Sequence, residues 1–220
     1  MKIPALLTLA LALALPSLKA DIVFGNLAAL TNGGATTVIQ GTNGTGKAIG
    51  FTMGTSSYEI TSVTLRLLNV GNDLSTDVPL ITIWTSNGNK PMVQVGGTFT
   101  NPTSYTPLTS TNYTFTPAST ITLDANQSYF LVVRGNNAAT SFDWLAGSPT
   151  VAPTGVAGSA ISRFGLNTSV PNYSSASSVY NWFQIDGTAI SVIPEPSTYA
   201  VFIGISVLGL AIYRRRSRVS

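Results

Sequence analysis

The chain of 220 residues contains no cysteine and no histidine. Without cysteine there is no disulfide, no thiol nucleophile and no residue for a lipoprotein signal to acylate. Without histidine there is no Ser-His-Asp triad, and with both absent the ordinary zinc ligand sets are gone too. Charge is also scarce, with Asp, Glu, Lys and Arg making up 9% of the residues. No glycine-rich phosphate loop follows a strand pattern and opens a helical one. Between residues 21 and 193 the apolar residues never settle into a helical period, and no segment recurs at fixed spacing. That pattern argues against a helical bundle and against a solenoid. Any fold built here must stand on its core, without covalent staples.

The front of the chain is an address. Met1 and Lys2 form a minimal basic start, residues 3–15 are rich in Leu and Ala, interrupted by Pro4 and Thr8, and residues 16–20 form a short polar end. This is the pattern of a secretory signal peptide over residues 1–20, too short to be a spanning helix, with cleavage expected before Asp21. Leu18 is larger than the small residue usual at the third position before such a cut. The formal charge of the whole chain is +3, but its distribution matters more. Residues 21–193 hold five basic residues (Lys47, Arg66, Lys90, Arg134, Arg163) and seven acidic ones (Asp21, Glu59, Asp73, Asp77, Asp124, Asp143, Asp186), a net −2. The excess positive charge belongs to the two ends, so nucleic acid is not an expected partner.

Residues 21–193 are long enough for one domain with a real core. Ser, Thr, Asn and Gly are abundant, as in extracellular β-proteins with many turns. Strands are expected at residues 22–24, 48–53, 58–70, 80–85, 92–95, 98–100, 113–116, 121–123, 128–134 and 142–145, and within 179–193. The clearest is 58–70, where Val63, Leu65 and Leu67 alternate with Thr64, Arg66 and Leu68. Residues 86–91 and 124–127 read as turns, 147–158 as a loop, and 163–178 as irregular. About nine or ten short strands separated by turn signals predict an all-β domain, a single β-sandwich or jelly roll.

The C-terminal stretch has three segments in order. Pro194, Glu195 and Pro196 form a stiff, extended rod with one charge, because each proline fixes its own φ and extends the residue before it. Residues 199–213 are 15 residues without a charge, about 22 Å as a helix, marginal against a hydrocarbon core of roughly 30 Å. Arg214, Arg215, Arg216 and Arg218 then form a basic stop that belongs on the cytoplasmic side. On physical grounds a permanent single-pass anchor and a temporary anchor presented to a membrane-embedded enzyme both fit. The order of motif, apolar helix and arginine cluster resembles the bacterial PEP-CTERM sorting signal, over residues 194–220. That resemblance implies processing by an exosortase-type membrane enzyme in a Gram-negative bacterium, in systems that accompany exopolysaccharide and biofilm production. A second resemblance runs through residues 21–193. The strand 62–70, the run Pro79-Leu80-Ile81-Thr82-Ile83-Trp84, the segment 129–133, Trp144 and the closing 180–185 are similar in order to the choice-of-anchor R domain, which implies fold and location but no chemistry.

Candidate chemistry in the domain is sparse. A glycosidase needs two convergent carboxylates, and the candidates are Glu59, Asp124, Asp143 and Asp186, of which Asp143 beside Trp144 is the one to test. Asn72, Asp73 and Asp77 crowd oxygen ligands into one loop and form a candidate calcium site that matches no known spacing. Trp84 lies in the most apolar strand and is expected in the core, and Trp182 and Phe183 should point to opposite faces. An exposed Trp144, with Asp143 beside it, is the expected glycan contact. The first expectation is thus an exported, non-enzymatic surface or matrix protein without cofactor. Its expected partners are the secretion translocon, the inner membrane through residues 199–213, an exosortase-type enzyme and exopolysaccharide. The alternatives are a carbohydrate-binding module and, third, a glycan hydrolase built on Asp143.

Overall fold

A computed structural model describes residues 20–29, 36–40, 46–68, 70, 78–106, 108–137, 140–166, 173–190, 204 and 206. The chain divides into two compact units, Met1–Ala189 and Ile190–Ser220. In the second unit Gly204 and Ser206 are helical. Among the described residues no helix is long and apolar enough to cross a membrane.

The first unit is all-β. In chain order its strands are β1 (Asp21–Gly25), β2 (Thr36–Gln40), β3 (Gly46–Thr52), β4 (Tyr58–Leu68), β5 (Pro79–Asn87), β6 (Lys90–Val95) and β7 (Phe99–Thr100). They continue with β8 (Thr111–Pro117), β9 (Thr122–Leu123), β10 (Ser128–Gly135), β11 (Ser141–Leu145), β12 (Ser159–Leu166), β13 (Tyr173–Ala176) and β14 (Phe183–Ala189). One 3-10 turn, Leu27–Ala29, follows β1. Every strand pairing is antiparallel, and the strands form two sheets.

The six-stranded sheet runs β13-β12-β3-β10-β5-β6. Its centre, β10, is an apolar run that is buried on both faces: Tyr129, Leu131 and Val133 enter the main core, while Phe130 and Val132 are buried on the other face with Ala48. β5 and β6 meet through Gly88 and Asn89, both at positive φ (57° and 60°), the two-residue turn that matches strand twist. The turn before β10 is fixed by Tyr129, whose hydroxyl accepts the backbone N–H of Asp124 at 2.9 Å, with Asn126 left-handed at φ 60°.

The eight-stranded sheet is organised on β4. β14 pairs with residues 58–65 along one edge, and β11 takes over at Leu67 and Leu68. On the other edge β9 pairs at Tyr58 and Glu59, and β8 pairs from Val63 to Leu67. β1 lies outside β14, β2 outside β11, and β7 outside β8. The register skips Thr61 opposite Asp186 and Gly187, a bulge that moves the inward set from Tyr58 and Ile60 to Val63, Leu65 and Leu67. These residues join Ile49, Phe51, Ile81, Ile83, Leu131 and Val133 of the other sheet in one core. The two sheets therefore pack face to face across a shared interior, the arrangement of a β-sandwich.

The fourteen strands among the described residues exceed the nine or ten expected. β13 and the second half of β12 fall where irregular chain was expected, and β2 where no strand was expected. β2 and β13 are outermost strands of their sheets, and β12 carries a register shift between Ala160 and Arg163. Such strands are held by backbone pairing, so their side chains need not alternate.

Because Leu65 is fully buried and Thr64 faces outward, the two should respond differently to truncation. Leu65→Ala is expected to lower unfolding stability by about 2–5 kcal/mol and Thr64→Ala by less than about 1 kcal/mol. Urea denaturation checks this, with an equal loss for both variants contradicting the assigned faces.

Candidate functional site

The sorting motif Pro194, Glu195 and Pro196, the basic stop Arg214, Arg215, Arg216 and Arg218, and the calcium candidate Asn72, Asp73 and Asp77 lie outside the described residues. Among the described residues no group of three or more acidic side chains is placed to hold a metal ion.

Trp144 is not an exposed platform. It is fully buried, so the glycan contact expected at this residue is corrected. On β11 the burial alternates, with Phe142 and Trp144 inward and Ser141, Asp143 and Leu145 outward or half-buried. The indole meets Phe183 edge-on at 6.4 Å, and its Nε1 donates to the carbonyl of Trp182 at 2.9 Å. An indole N–H is tolerated inside because that acceptor is waiting for it. The same carbonyl accepts the Arg66 backbone N–H at 3.1 Å, where β4 changes partner from β14 to β11. Asn181, also fully buried, closes the junction by donating Nδ2 to the Trp144 carbonyl at 2.5 Å. Asn26, 4% exposed, ties down the chain beyond β1 in a similar way: its Oδ1 accepts from Phe183 N and its Nδ2 donates to Val151 O, both at 3.0 Å. Trp182 and Phe183 are both buried, so neither is a surface aromatic.

Asp143 is half-buried on the outer face of the eight-stranded sheet, opposite Leu68. Asp186, on the same edge of β4, lies opposite Ser62, six residues away, or about 20 Å along the strand. Paired glycosidase carboxylates lie about 5–10 Å apart. These two do not converge, so the hydrolase built on Asp143 has no second carboxylate in Asp186. Glu59 pairs with Thr188 and Thr122 still farther along β4, and Asp124 follows β9 at that same end. Asp186 instead serves the sheet: Oδ2 accepts from Ser62 at 3.0 Å and Oδ1 from Gln184 at 2.8 Å. Farther across this face Thr64 bonds Thr114 at 3.0 Å, and Arg66 donates to Asn112 at 3.2 Å and Ser110 at 2.8 Å. The outer surface of the larger sheet is thus a self-satisfied polar layer.

The opposite correction applies to Trp84. Expected in the core, it is half-buried and stands on the outer face of the six-stranded sheet. The reason is parity: on β5 Ile81 and Ile83 take the inward positions, which leaves Thr82 and Trp84 outward. An apolar strand buried on both faces gives no alternation from which to read this.

Two cations gather around residues 177–180. Lys47 is 1% exposed, on the inward side of β3 with Ile49 and Phe51, and its Nζ donates to Val179 O at 2.6 Å. Arg163 stacks 3.9 Å over the Tyr180 ring and donates to Ser178 O at 3.3 Å. Burial, then the Arg163 charge, pushes the Lys47 amine down to about 8. No sequence pattern marks this lysine, which sits between Gly46 and Ala48 like any turn-proximal cation. Burial also raises the tyrosines Tyr58, Tyr105 and Tyr129 above their ordinary range, with the Asp21 charge second at Tyr58 and Tyr113 second at Tyr105.

Comparison with known families and with curated proteins finds no match to the chain.

Lys47 generates a pH prediction. In the unfolded chain the amine keeps its proton up to 10.5, whereas folded it releases it near 8. Between these values the unfolded state holds more protons, so stability rises with pH from about 8 upward. Above about 10 the tyrosines reverse the trend, since they ionise more readily unfolded. Between pH 8 and 9.5 the wild type should gain on the order of 1–2 kcal/mol and Lys47→Met should stay flat, read from denaturation midpoints. A wild-type profile parallel to that of the variant would contradict a buried, charged Lys47.

Proposed function

We propose that this is an exported, non-enzymatic protein delivered to the cell surface or extracellular matrix by its C-terminal tail. In this reading the translocon carries it across the inner membrane of a Gram-negative bacterium. The apolar run 199–213 holds it there while an exosortase-type enzyme processes the tail, and the β-sandwich is then released to its final location, in association with exopolysaccharide. The observation that carries the reading is the order Pro194-Glu195-Pro196, uncharged run, arginine cluster, placed shortly after a domain whose last strand ends at Ala189. The domain itself supports it as a passenger: an uncrosslinked sandwich with satisfied buried amides at Asn26 and Asn181.

A second reading, a carbohydrate-binding module, is favoured by one observation. Trp84 is a partly buried aromatic on the outer face of the six-stranded sheet, and an aromatic ring on a sheet face can stack on a sugar.

Intact-mass analysis of surface material from the native host tests the first reading. The expected mass lacks Arg214 through Ser220 and begins at Asp21. Surface protein that retains the arginine cluster would contradict tail processing.

A further inference from the structure

The first strand of the domain is held by parts of the chain that come last. β1 has a partner on each edge. On one edge it pairs with β14, Asp21 opposite Gly187 and Gly25 opposite Gln184. On the other it meets residues 154–157: Gly25 and Thr154 exchange two backbone hydrogen bonds of 2.8 Å, and Val156 and Ala157 donate to Ile22 O at 3.1 Å and Val23 O at 2.9 Å. Asn26 fixes the chain beyond the strand by accepting from Phe183 N, 157 residues further on. Val23 and Phe24 are buried in the core, the Phe24 ring 5.2 Å from Phe51 and 5.9 Å from Phe183. The pairing begins at Asp21 itself, while Ala20 is exposed. The bond between these two residues is the one at which the leader is expected to be cut. Residues 1–19 themselves lie outside the described residues.

We propose that β1 is a gate on leader removal: the Ala20–Asp21 bond is open to a signal peptidase in the unfolded chain and closed once β1 has docked between β14 and residues 154–157. The step is peptide hydrolysis. Water adds across the amide, leaving a carboxylate on Ala20 and an ammonium on Asp21, and the catalytic groups are the peptidase's. A groove that holds an extended chain bonds its backbone groups as a neighbouring strand would. In the folded domain the residues after the cut have already given those groups to the sheet and to residues 154–157. Freeing them draws Val23 and Phe24 out of the core, an opening closer to global unfolding than to fraying. Cutting then follows the small population of the open form. Before closure the gate stands open for an interval that the topology sets. At a synthesis rate of about 5–20 residues per second, both partners of β1 follow it by on the order of ten to thirty seconds. A chain cut in that interval is freed at its N-terminus, and one that folds first keeps its leader. This inference rests on the export reading above and adds to it the order of cutting and closure.

The test uses the full chain in detergent with a purified bacterial signal peptidase, and intact mass reads the cut. The chain is presented folded, without urea, and unfolded, in urea above its denaturation midpoint, with tryptophan fluorescence verifying each state. Each rate is scaled to that of an unstructured peptide of residues 1–26 in the same urea. The folded wild type is expected to be cut about a hundredfold or more slower than the unfolded chain. A variant with about eight Gly and Ser residues inserted between Ala20 and Asp21 moves the cut away from β1, and should be cut at the same scaled rate in both states. Folded wild type cut as fast as unfolded overturns the gate and leaves the leader standing. A folded spacer variant as slow as the folded wild type also overturns the gate, because the barrier then lies outside β1. Wild type left uncut in both states, while the peptidase cuts a control precursor, overturns the leader and the gate together.

Discussion

The carbonyl of Trp182 is the point on which the larger sheet turns. It accepts two N–H groups, one from the backbone of Arg66 and one from the buried indole of Trp144. There β4 exchanges one antiparallel partner, β14, for another, β11. Without acceptors at this exchange the edge of β4 would be left with buried, unpaired donors, which a core without disulfides has little margin to carry. Asn181 and Asn26 extend the same solution to the neighbouring loops. The most central tryptophan is thus a structural hydrogen-bond donor, and its burial follows from the topology of the sheet.

That topology explains what was legible in the sequence. The alternation of Val63, Leu65 and Leu67 marks β4 and its inward face, and the apolar run 128–134 marks β10. The turns at 86–91 and 124–127 were visible because Gly, Asn and Asp tolerate the left-handed backbone that Gly88, Asn89 and Asn126 adopt. The peripheral strands β2, β12 and β13 were not visible, since pairing at a sheet margin asks little of side chains. The tryptophans inverted the expectation. Trp144 sits in a short polar-flanked strand and looks exposed, yet its partner acceptor lies 38 residues away in sequence. Trp84 sits among Ile and Leu and looks buried, yet strand parity places it outward. Neither fact is local, so neither could be read before the strands were paired.

The candidate chemistry divides in the same way. Nothing about Lys47 in the sequence signals burial, because its confinement comes from β3 facing inward and from the carbonyl of Val179. The scarcity of acidic residues is plain in the sequence, but only the register shows that Asp143 and Asp186 stand too far apart to act on one bond. On the outer face of the smaller sheet Trp84 is held by its bond to Thr82, over the buried Phe130 and Val132. The larger sheet's outer face spends its polar groups on itself.

On the proposed reading, the tail would determine where the sandwich goes. The most direct measurement is to fuse residues 190–220 to an unrelated exported passenger in the native host and to follow its fate by fractionation and mass. The account predicts a passenger that is cut near the Pro-Glu-Pro motif and recovered outside the inner membrane, while a Glu195→Ala fusion stays uncut. A wild-type fusion that remains full length in the inner membrane would contradict it.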